Sequence, residues 1–214
     1  MSYIINPPLI IKFFFKDFYW NTFNDKILLT FDDGPTVEVT ELILNILSKN
    51  KIKAVFFCVG NNVKNHQSLV KEILDQGHLI ANHTFNHKRL NKLSKTETDE
   101  EINSFNRIMK EKFDYDVKYF RPPHGKFTIS TNGILKKKGL KCVMWSLLTQ
   151  DYKNDFETVK FAVRNYLKKN SIVVLHDSIK SKEIIKDSIN FIIDETAKKG
   201  FSFGEPEECL KHSS

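Results

Sequence analysis

Short apolar runs alternate along this chain with longer segments in which apolar residues recur every three or four positions. The runs predict β-strands, and they lie at 27–31, 53–58, 78–82, 117–120, 140–145, 171–176 and 201–203. The longer segments predict helices at 37–49, 66–76, 96–113, 129–138, 156–169 and 183–199. This alternation is typical of an α/β fold built on a parallel sheet or barrel, and 214 residues suit one such domain.

Local signals support several of these boundaries. Ser94 stands three residues before Glu97, which is the spacing of a capping box, and apolar residues follow at helical spacing. Gly77, Gly139 and Gly200 each separate a predicted helix from the next strand, and glycine is the usual residue in the left-handed turn that ends a helix.

Ionisable residues stand where the predicted strands end. They are Asp32 and Asp33 after the first strand, His83 after the third, Arg121 after the fourth, Asp151 after the fifth and His176 at the end of the sixth. In α/β barrels the carboxyl ends of the strands carry the chemistry. We therefore expect these side chains to face one common site.

The first strand ends in two adjacent carboxylates, Asp32 and Asp33, and a Gly-Pro pair then turns the chain. Neighbouring like charges repel and are costly to bury without a cation or cationic partners. A metal ion held by one acid, with the other left free as a base, would relieve that cost.

His83 and His87 are four residues apart, and we predict a helical turn that places both imidazoles on one side. Such a pair alone is a weak signal of a metal site. Its position after a strand, together with the carboxylates after another strand, makes the signal stronger. Two histidines and one carboxylate are a common ligand set for catalytic zinc.

Arg121 is one of only 4 arginines in a chain with 29 lysines. A guanidinium holds carboxylates in a fixed geometry, so Arg121 is a candidate to hold Asp32 and to pair with Asp151; the alternative is an ordinary surface arginine. Pro122 and Pro123 stiffen the following loop, which would hold the backbone N–H of His124 towards the site.

A buried strand that ends in His176 is a suitable place for a general acid or base, although a lone histidine is more often a hydrogen-bonded core residue. The remaining histidines, His66, His78 and His212, have no such context, and we assign them structural positions.

The composition favours a globular protein, since 41% of the residues are hydrophobic. A formal net charge of +7 suits acidic partners such as an anionic envelope polymer, a membrane surface or nucleic acid. Because most cations are lysines, we interpret the excess as solvated helix faces and predict no nucleic-acid partner. Cys58 and Cys142 lie in apolar runs and predict buried thiols rather than disulfides.

Residues 1–25 are rich in apolar and aromatic side chains, and we predict that they pack their Phe, Tyr and Trp onto a domain formed by residues 26–214. No Lys or Arg precedes Lys12, which argues against an export signal and predicts a cytoplasmic location. The apolar run from Leu9 to Phe15 is too short to cross a bilayer, so no transmembrane segment is expected. The alternative is that this segment anchors the chain at a membrane interface.

Five short motifs occur in the order TFDDGP, HTFNH, RPPHG, the stretch from Trp145 to Tyr152, and VLH. Together they resemble the five signature segments of the polysaccharide deacetylases of carbohydrate esterase family 4, the NodB homology domain. The resemblance spans about residues 25–205, which is nearly the whole chain. It implies a distorted (β/α)7 barrel, and the chain offers seven strand candidates.

The resemblance also implies catalytic roles. Asp32 would be the general base and His176 the general acid. Arg121 would orient Asp32, while Asp151 would pair with Arg121 and tune His176.

The implied metal ligands are Asp33, His83 and His87. The implied cofactor is a divalent metal, Zn²⁺ first, with Co²⁺ or Ni²⁺ as alternatives.

In the implied substrate pocket, the main-chain N–H of His124 contributes to the oxyanion hole, and Leu175 lines the acetyl pocket near Trp145. Three positions depart from the family pattern. His124 stands where Tyr is common, Leu148 stands where an acid is often found, and Tyr152 stands where Trp is common. These departures bear on the substrate more than on the reaction.

The implied activity is metal-dependent hydrolysis that removes acetyl groups from the N-acetylated sugars of a polysaccharide or oligosaccharide. Two alternatives stay open: an O-acetyl esterase acting on a glycan, and a non-catalytic glycan-binding relative. The implied partner is an acetylated glycan, and by analogy with the family the chain would work on envelope material. No pattern in the sequence indicates an oligomeric state.

Overall fold

The computed structural model describes residues 5–211 and contains a seven-stranded, all-parallel sheet in the order β5-β4-β3-β2-β1-β7-β6. The sheet curls into a half-barrel with helices packed around it, as the distorted barrel prediction required. The strands are β1 Leu28–Asp32, β2 Ala54–Cys58, β3 Leu79–Asn82, β4 Tyr119–Phe120, β5 Lys141–Cys142, β6 Leu147–Leu148 and β7 Ile172–His176.

Helices follow most of the strands. They are α1 Leu9–Phe14, α2 Val39–Lys49, α3 Gly60–Asn65, α4 Gln67–Asp75, α5 Lys95–Phe113, α6 Ile129–Lys137, α7 Phe156–Tyr166, α8 Ile185–Lys198 and α9 Pro206–Cys209. Each of the six predicted helices has its counterpart, while the short α1, α3 and α9 were not predicted. The capping box of α5 is present, because Ser94 and Glu97 each accept a hydrogen bond from the other's backbone N–H.

The predicted strand at 201–203 is wrong, because Phe203 makes only an isolated bridge to Ile27. The seventh strand is instead β6, which the prediction missed. The predicted strand at 140–145 was also too long, since β5 covers two residues and Val143 then bridges Tyr19. A strand of two residues leaves no periodic pattern in a sequence, and β6 was therefore not predicted.

The N-terminal segment pairs with residues at the end of β5 and at the start of β7. The N–H of Tyr19 donates to the carbonyl of Cys142 at 2.8 Å, and Asn21 forms a bridge with Ser171. Phe18 and Trp20 of this segment are buried, in agreement with the prediction that its aromatic residues pack onto the domain. Phe13 and Phe14 are exposed, so the prediction that the phenylalanines of this segment pack onto the domain is wrong for these two residues. The domain boundary at residue 25 stays a prediction, and residues 1–4 and 212–214 lie outside the described residues.

The central strands β1, β2 and β7 are buried on both faces, which explains why they appear as continuous apolar runs. Between the sheet and its helices, Phe31 stacks on Phe56 with ring centroids 5.1 Å apart. Burying one such side chain contributes about 2–3 kcal/mol. This apolar frame holds the carboxyl ends of β1 and β7 rigidly side by side. Cys58 and Cys142 are buried free thiols, as predicted.

Candidate active site

The carboxyl edge of the sheet gathers most of the ionisable residues singled out above. Asp32 ends β1 and His176 ends β7, and the two are paired residues of neighbouring strands. His83 follows β3 and Arg121 follows β4. Asp151 follows β6 rather than the fifth strand, because β6 lies between β5 and this residue.

Asp33, His83 and His87 form a cluster suited to a metal ion. One ligand atom from each lies within 4.8 Å of the others, and Nε2 of His87 is 3.1 Å from Oδ1 of Asp33. Nδ1 of His83 lies 2.8 Å from the carbonyl oxygen of Arg121. Since a carbonyl can only accept, Nδ1 carries the proton and Nε2 presents its lone pair to the cluster. Burial lowers the pKa of His83 to about 4, so the ring is neutral at pH 7, which is the form that binds metals.

The helical turn predicted for residues 83–87 is wrong. The segment is an irregular loop, in which Thr84 and His87 have left-handed backbones with φ of 66° and 56°. The side chain of Asn82 causes the first of these turns by accepting the N–H of Thr84 at 2.7 Å. The loop nevertheless brings the two imidazoles together, with ring centroids 5.0 Å apart.

Glu101 of α5 fastens this loop, and the sequence analysis missed it. Its Oε2 accepts the N–H groups of Phe85 and Asn86 at 3.1 and 2.7 Å, and its Oε1 accepts the side-chain amide of Asn86 at 2.8 Å. The residue is only 5% exposed. A signal was present, because Glu101 lies four residues before Phe105 on the apolar face of the helix, where a charge needs a partner.

Arg121 is fully buried and holds Asp32 through a 2.6 Å contact from Nη1 to Oδ1. Its other N–H groups donate to the hydroxyl of Thr30 and to the carbonyls of Val143 and Met144, at 2.8–2.9 Å. The second oxygen of Asp32 lies 3.9 Å from Nε2 of His83 and so faces the metal-ligand cluster.

The predicted pair between Arg121 and Asp151 is wrong. The Asp151 carboxylate instead accepts Nδ1 of His176 at 2.8 Å and the backbone N–H of His176 at 2.7 Å. The backbone carbonyls after β5 engage the guanidinium of Arg121, while the turn after β6 points Asp151 towards the end of β7. Burial lowers the pKa of His176, but the charge and hydrogen bond of Asp151 outweigh it and raise the value to about 9.

Three of the four predicted pocket residues lie near the site, and the fourth, Leu175, does not. Tyr152 lies with its ring centroid 4.7 Å from that of His176, and the His124 ring lies 4.7 Å from that of His87. Trp145 covers the turn after His124 so closely that a Cβ on Gly125 would lie 2.5 Å from its ring. Leu175 does not line the pocket. It is fully buried in the core on the helix side, because side chains alternate along β7 and Val174 shares the face of His176.

Asp177 is a second residue that the sequence analysis missed. It is fully buried, accepts the hydroxyl of Thr40 at 2.6 Å, and donates its N–H to the carbonyl of Asp32 at 2.8 Å. A Cβ on Gly34 would lie 2.1 Å from its Oδ2, so only glycine fits there. Burial raises the pKa of Asp177 to about 7. This side chain braces the turn that follows Asp33.

The histidines assigned structural positions lie apart from these groups. His78 accepts the N–H of Ala54 with Nδ1 at 3.1 Å, and His66 connects α3 to α4. His212 lies outside the described residues.

Comparison with known proteins identifies the family. The family model described as polysaccharide deacetylase matches residues 21–143. The chain belongs to the polysaccharide deacetylase family. A peptidoglycan-N-acetylglucosamine deacetylase of Bacillus cereus is 32% identical to it over 88% of this chain and 90% of that protein. Another deacetylase of that name and organism is 31% identical, and this chain spans 66% of its length.

Solved structures agree with this assignment of the deacetylase fold. The crystal structure of the Bc1960 peptidoglycan N-acetylglucosamine deacetylase matches with a TM-score of 0.88 and 27% identity, over 97% of this chain and 98% of that one. BA3943, a family 4 pseudoenzyme of Bacillus anthracis, matches with a TM-score of 0.79 and 25% identity, over 90% of this chain and 68% of that one. Enzyme and pseudoenzyme therefore share the fold of this deacetylase.

Replacing Glu101 should loosen the loop that carries His83 and His87. We expect Glu101→Gln to lower the free energy of unfolding by about 1–3 kcal/mol, because the new amide group turns a donor towards buried donors. Urea denaturation without metal measures this loss. Affinity for Zn²⁺ should also fall about 10–100-fold in calorimetric titration, since the loop that positions two ligands is no longer fixed.

The adjacent Glu100 offers a matched control. Its side chain is 65% exposed and contacts Arg107 at 3.0 Å on the surface. Glu100→Gln should change stability by less than about 0.5 kcal/mol and leave Zn²⁺ affinity intact. Equal effects of the two substitutions would show that Glu101 does not fasten the loop.

Proposed function

We propose that this deacetylase hydrolyses the acetamide groups of N-acetylated sugars in an envelope glycan of the peptidoglycan type, releasing acetate with the help of a divalent metal. The observation that carries the proposal is the placement of Asp32 and His176 on adjacent strand ends, next to the Asp33, His83 and His87 cluster. The names of the similar proteins support the choice of substrate.

The cluster suits a divalent cation in both donor type and access. It offers two imidazole nitrogens and one carboxylate oxygen, which is the ligand set of many catalytic zinc sites. His83 is buried, whereas the side chains of Asp33 and His87 are 26% and 29% exposed, which leaves one side open to substrate. A cation held there would polarise the acetyl carbonyl and acidify a nearby water. Zn²⁺ fits best, and Co²⁺ or Ni²⁺ accept the same donors.

Asp32 would act as the general base. The hydrogen bond from Nη1 of Arg121 occupies Oδ1 and fixes the position of the carboxylate. Oδ2 faces the cluster and is free to accept the proton of the attacking water. A positioned base of this kind contributes about 10²–10⁴ in rate.

His176 would act as the general acid. Asp151 binds Nδ1 and keeps the ring protonated at neutral pH, so Nε2 is the nitrogen that donates to the leaving amine. An amide nitrogen is a poor leaving group, and this protonation allows the C–N bond to break.

The backbone N–H of His124 would stabilise the tetrahedral oxyanion. The turn that holds this N–H is fixed by Pro122 and Pro123 before it and by the ring of Trp145 against Gly125. One such donor contributes about 10²–10³ in rate.

Ester hydrolysis is a second candidate, which would make the chain an O-acetyl esterase. A family 4 carbohydrate esterase from Streptomyces lividans in complex with acetate matches with a TM-score of 0.75 and 30% identity, over 85% of this chain and 92% of that one. An ester has a better leaving group than an amide, so the same side chains suffice. Acetate release from matched N-acetylated and O-acetylated oligosaccharides separates the two activities.

Removing the base tests the proposed function directly. Asp32→Asn should lower the rate of acetate release from N-acetylglucosamine oligomers at least about 100-fold, because the amide cannot accept a proton. The amide oxygen still accepts from Arg121, so the fold should survive, which circular dichroism checks. Asp25→Asn, at an exposed residue paired with Lys169, should keep full activity. Unchanged turnover in Asp32→Asn would refute the mechanism.

Metal removal tests the cofactor. Treatment with a chelator should abolish acetate release, and added Zn²⁺, Co²⁺ or Ni²⁺ should restore it. His83→Gln should remain inactive after metal addition, whereas His66→Gln, at the junction of α3 and α4, should respond like the unmodified chain. Full activity in protein shown by elemental analysis to be metal-free would exclude a required metal.

The pH profile tests the partnership of His176 and Asp151. An acid must be protonated, so kcat/KM should fall as pH rises through the pKa of His176, which Asp151 raises to about 9. Asp151→Asn removes the charge that raises this pKa, so the alkaline limb should move to lower pH. Acetate release across the alkaline range measures the shift.

Asp155→Asn, at the exposed cap of α7, serves as the control and should leave the alkaline limb in place. An unmoved limb in Asp151→Asn would disprove the pairing.

A further inference from the structure

Helix α1 presents an apolar face to the outside of the molecule. Its members are Leu9, Ile10, Phe13 and Phe14, which are 65–82% exposed. They stand at positions i, i+1, i+4 and i+5, which form one stripe on a helix. We name this stripe the α1 apolar face. Four large apolar side chains exposed together are unusual on a soluble domain and mark an interaction surface.

The opposite side of the same helix is tied to the barrel. Ile11 and Phe15 pack against the core cluster that contains Phe18 and Trp20. The Phe15 ring lies 4.7 Å from that of Phe127, and Nε1 of Trp20 donates to the carbonyl of Phe15 at 3.0 Å. The α1 apolar face is therefore held in place before any partner binds, and little conformational entropy is lost when it docks.

A further exposed apolar side chain follows the segment that packs on the barrel side of α1. Ile129 is 84% exposed at the start of α6, two residues after Phe127, which packs on Phe15 and Phe18. The loop that begins at His124 thus leads to the segment that packs on the barrel side of α1.

Lysines stand within α1 and directly after it. Lys12 lies in the helix and its Nζ donates to Oδ1 of Asn6 at 3.1 Å, while Lys16 is exposed two residues after the helix ends. Asp17 is the acid that faces this group, and it is paired with Lys136 at 2.6 Å. Three lysines and one acid thus lie in or near α1, and this excess of positive charge favours an anionic partner.

We propose that the α1 apolar face docks on the surface of an anionic lipid bilayer. Exposed Phe, Leu and Ile side chains would enter the boundary between head groups and acyl chains, while the lysines in and near α1 contact anionic head groups. No helix among residues 5–211 is long and apolar enough to cross a membrane, so the contact is peripheral. A symmetric contact between two copies is disfavoured, because it would bring the two sets of lysines together.

Vesicle sedimentation tests the proposal. The unmodified chain should bind vesicles of phosphatidylcholine containing about one third phosphatidylglycerol, bind pure phosphatidylcholine more weakly, and dissociate as salt is raised. The double variant Phe13→Ser/Phe14→Ser should bind anionic vesicles at least about tenfold more weakly. Lys16→Gln should weaken binding in low salt but not in high salt.

Phe161→Ser provides the matched control, because Phe161 is 55% exposed on α7, outside the α1 apolar face. It should bind vesicles like the unmodified chain. Circular dichroism of the double variant checks that the fold is intact, and acetate release from a soluble oligosaccharide should be unchanged, since neither Phe13 nor Phe14 belongs to the site.

Three results would overturn the proposal. The first is unchanged vesicle binding by the folded double variant. The second is equal binding to neutral and anionic vesicles at low salt. The third is a dimer detected by light scattering that the double variant loses, since the α1 apolar face would then contact a second copy of the chain.

Discussion

The buried ion pair between Arg121 and Asp32 is the interaction on which the geometry of the site depends. The guanidinium of Arg121 is fully buried and donates to Asp32, to Thr30 and to two backbone carbonyls, so nearly all of its N–H donors are satisfied. Desolvating two charges costs several kcal/mol each, and such a pair persists only where the remaining hydrogen bonds are made. A lysine cannot replace the arginine, because a point charge has no planar set of donors for four separate acceptors.

Arg121 also connects the proposed base to the metal-ligand cluster. Its side chain fixes Asp32, while its carbonyl oxygen accepts Nδ1 of His83 and so selects the tautomer that turns Nε2 inwards. One residue thus sets the position of the carboxylate and the orientation of an imidazole. This explains why an arginine stands here in a chain that has 29 lysines and only 4 arginines.

The sequence predicted the parts of the fold that rest on long apolar runs. β1, β2 and β7 are such runs, and the polar residues that end β1 and β7 do meet. β6 is only two residues long and left no pattern. Leu175 was misplaced although the evidence was available, because strand alternation puts it on the face opposite His176. The resemblance implied that Asp151 acts on His176, and the two are in contact at 2.8 Å. The pairing with Arg121 that it also implied is wrong, because the turn after β6 directs the Asp151 carboxylate to the end of β7, and no spacing along the chain shows that direction.

The backbone conformation of the loops around the site could not be predicted from the local sequence. Asp33, Thr84, His87, His124 and Gln150 all have positive φ, a conformation that costs energy in residues other than glycine and collects at functional sites. Buried polar side chains hold some of these turns in place. Asn82 and Glu101 fix the loop of residues 83–87, and Asp177 packs against the turn after Asp33. Such anchors act between distant segments, so the 83–87 spacing alone suggested a helical turn that does not exist.

Enzymes and a pseudoenzyme share this fold, since BA3943 matches it with a TM-score of 0.79, so the argument for catalysis lies in the site. The polar residues at the site provide the stronger argument. Asp32 and His83 are buried, and His176 is paired with the fully buried Asp151, although apolar residues of similar size would stabilise the barrel edge at least as well. A protein that only binds glycans needs neither the proposed base beside the metal-ligand cluster nor a histidine paired with a buried carboxylate on the next strand. Burying these groups lowers the stability of the barrel edge, and ionisable groups buried at such a cost are typical of catalytic sites, which supports the assignment of catalytic activity to the chain.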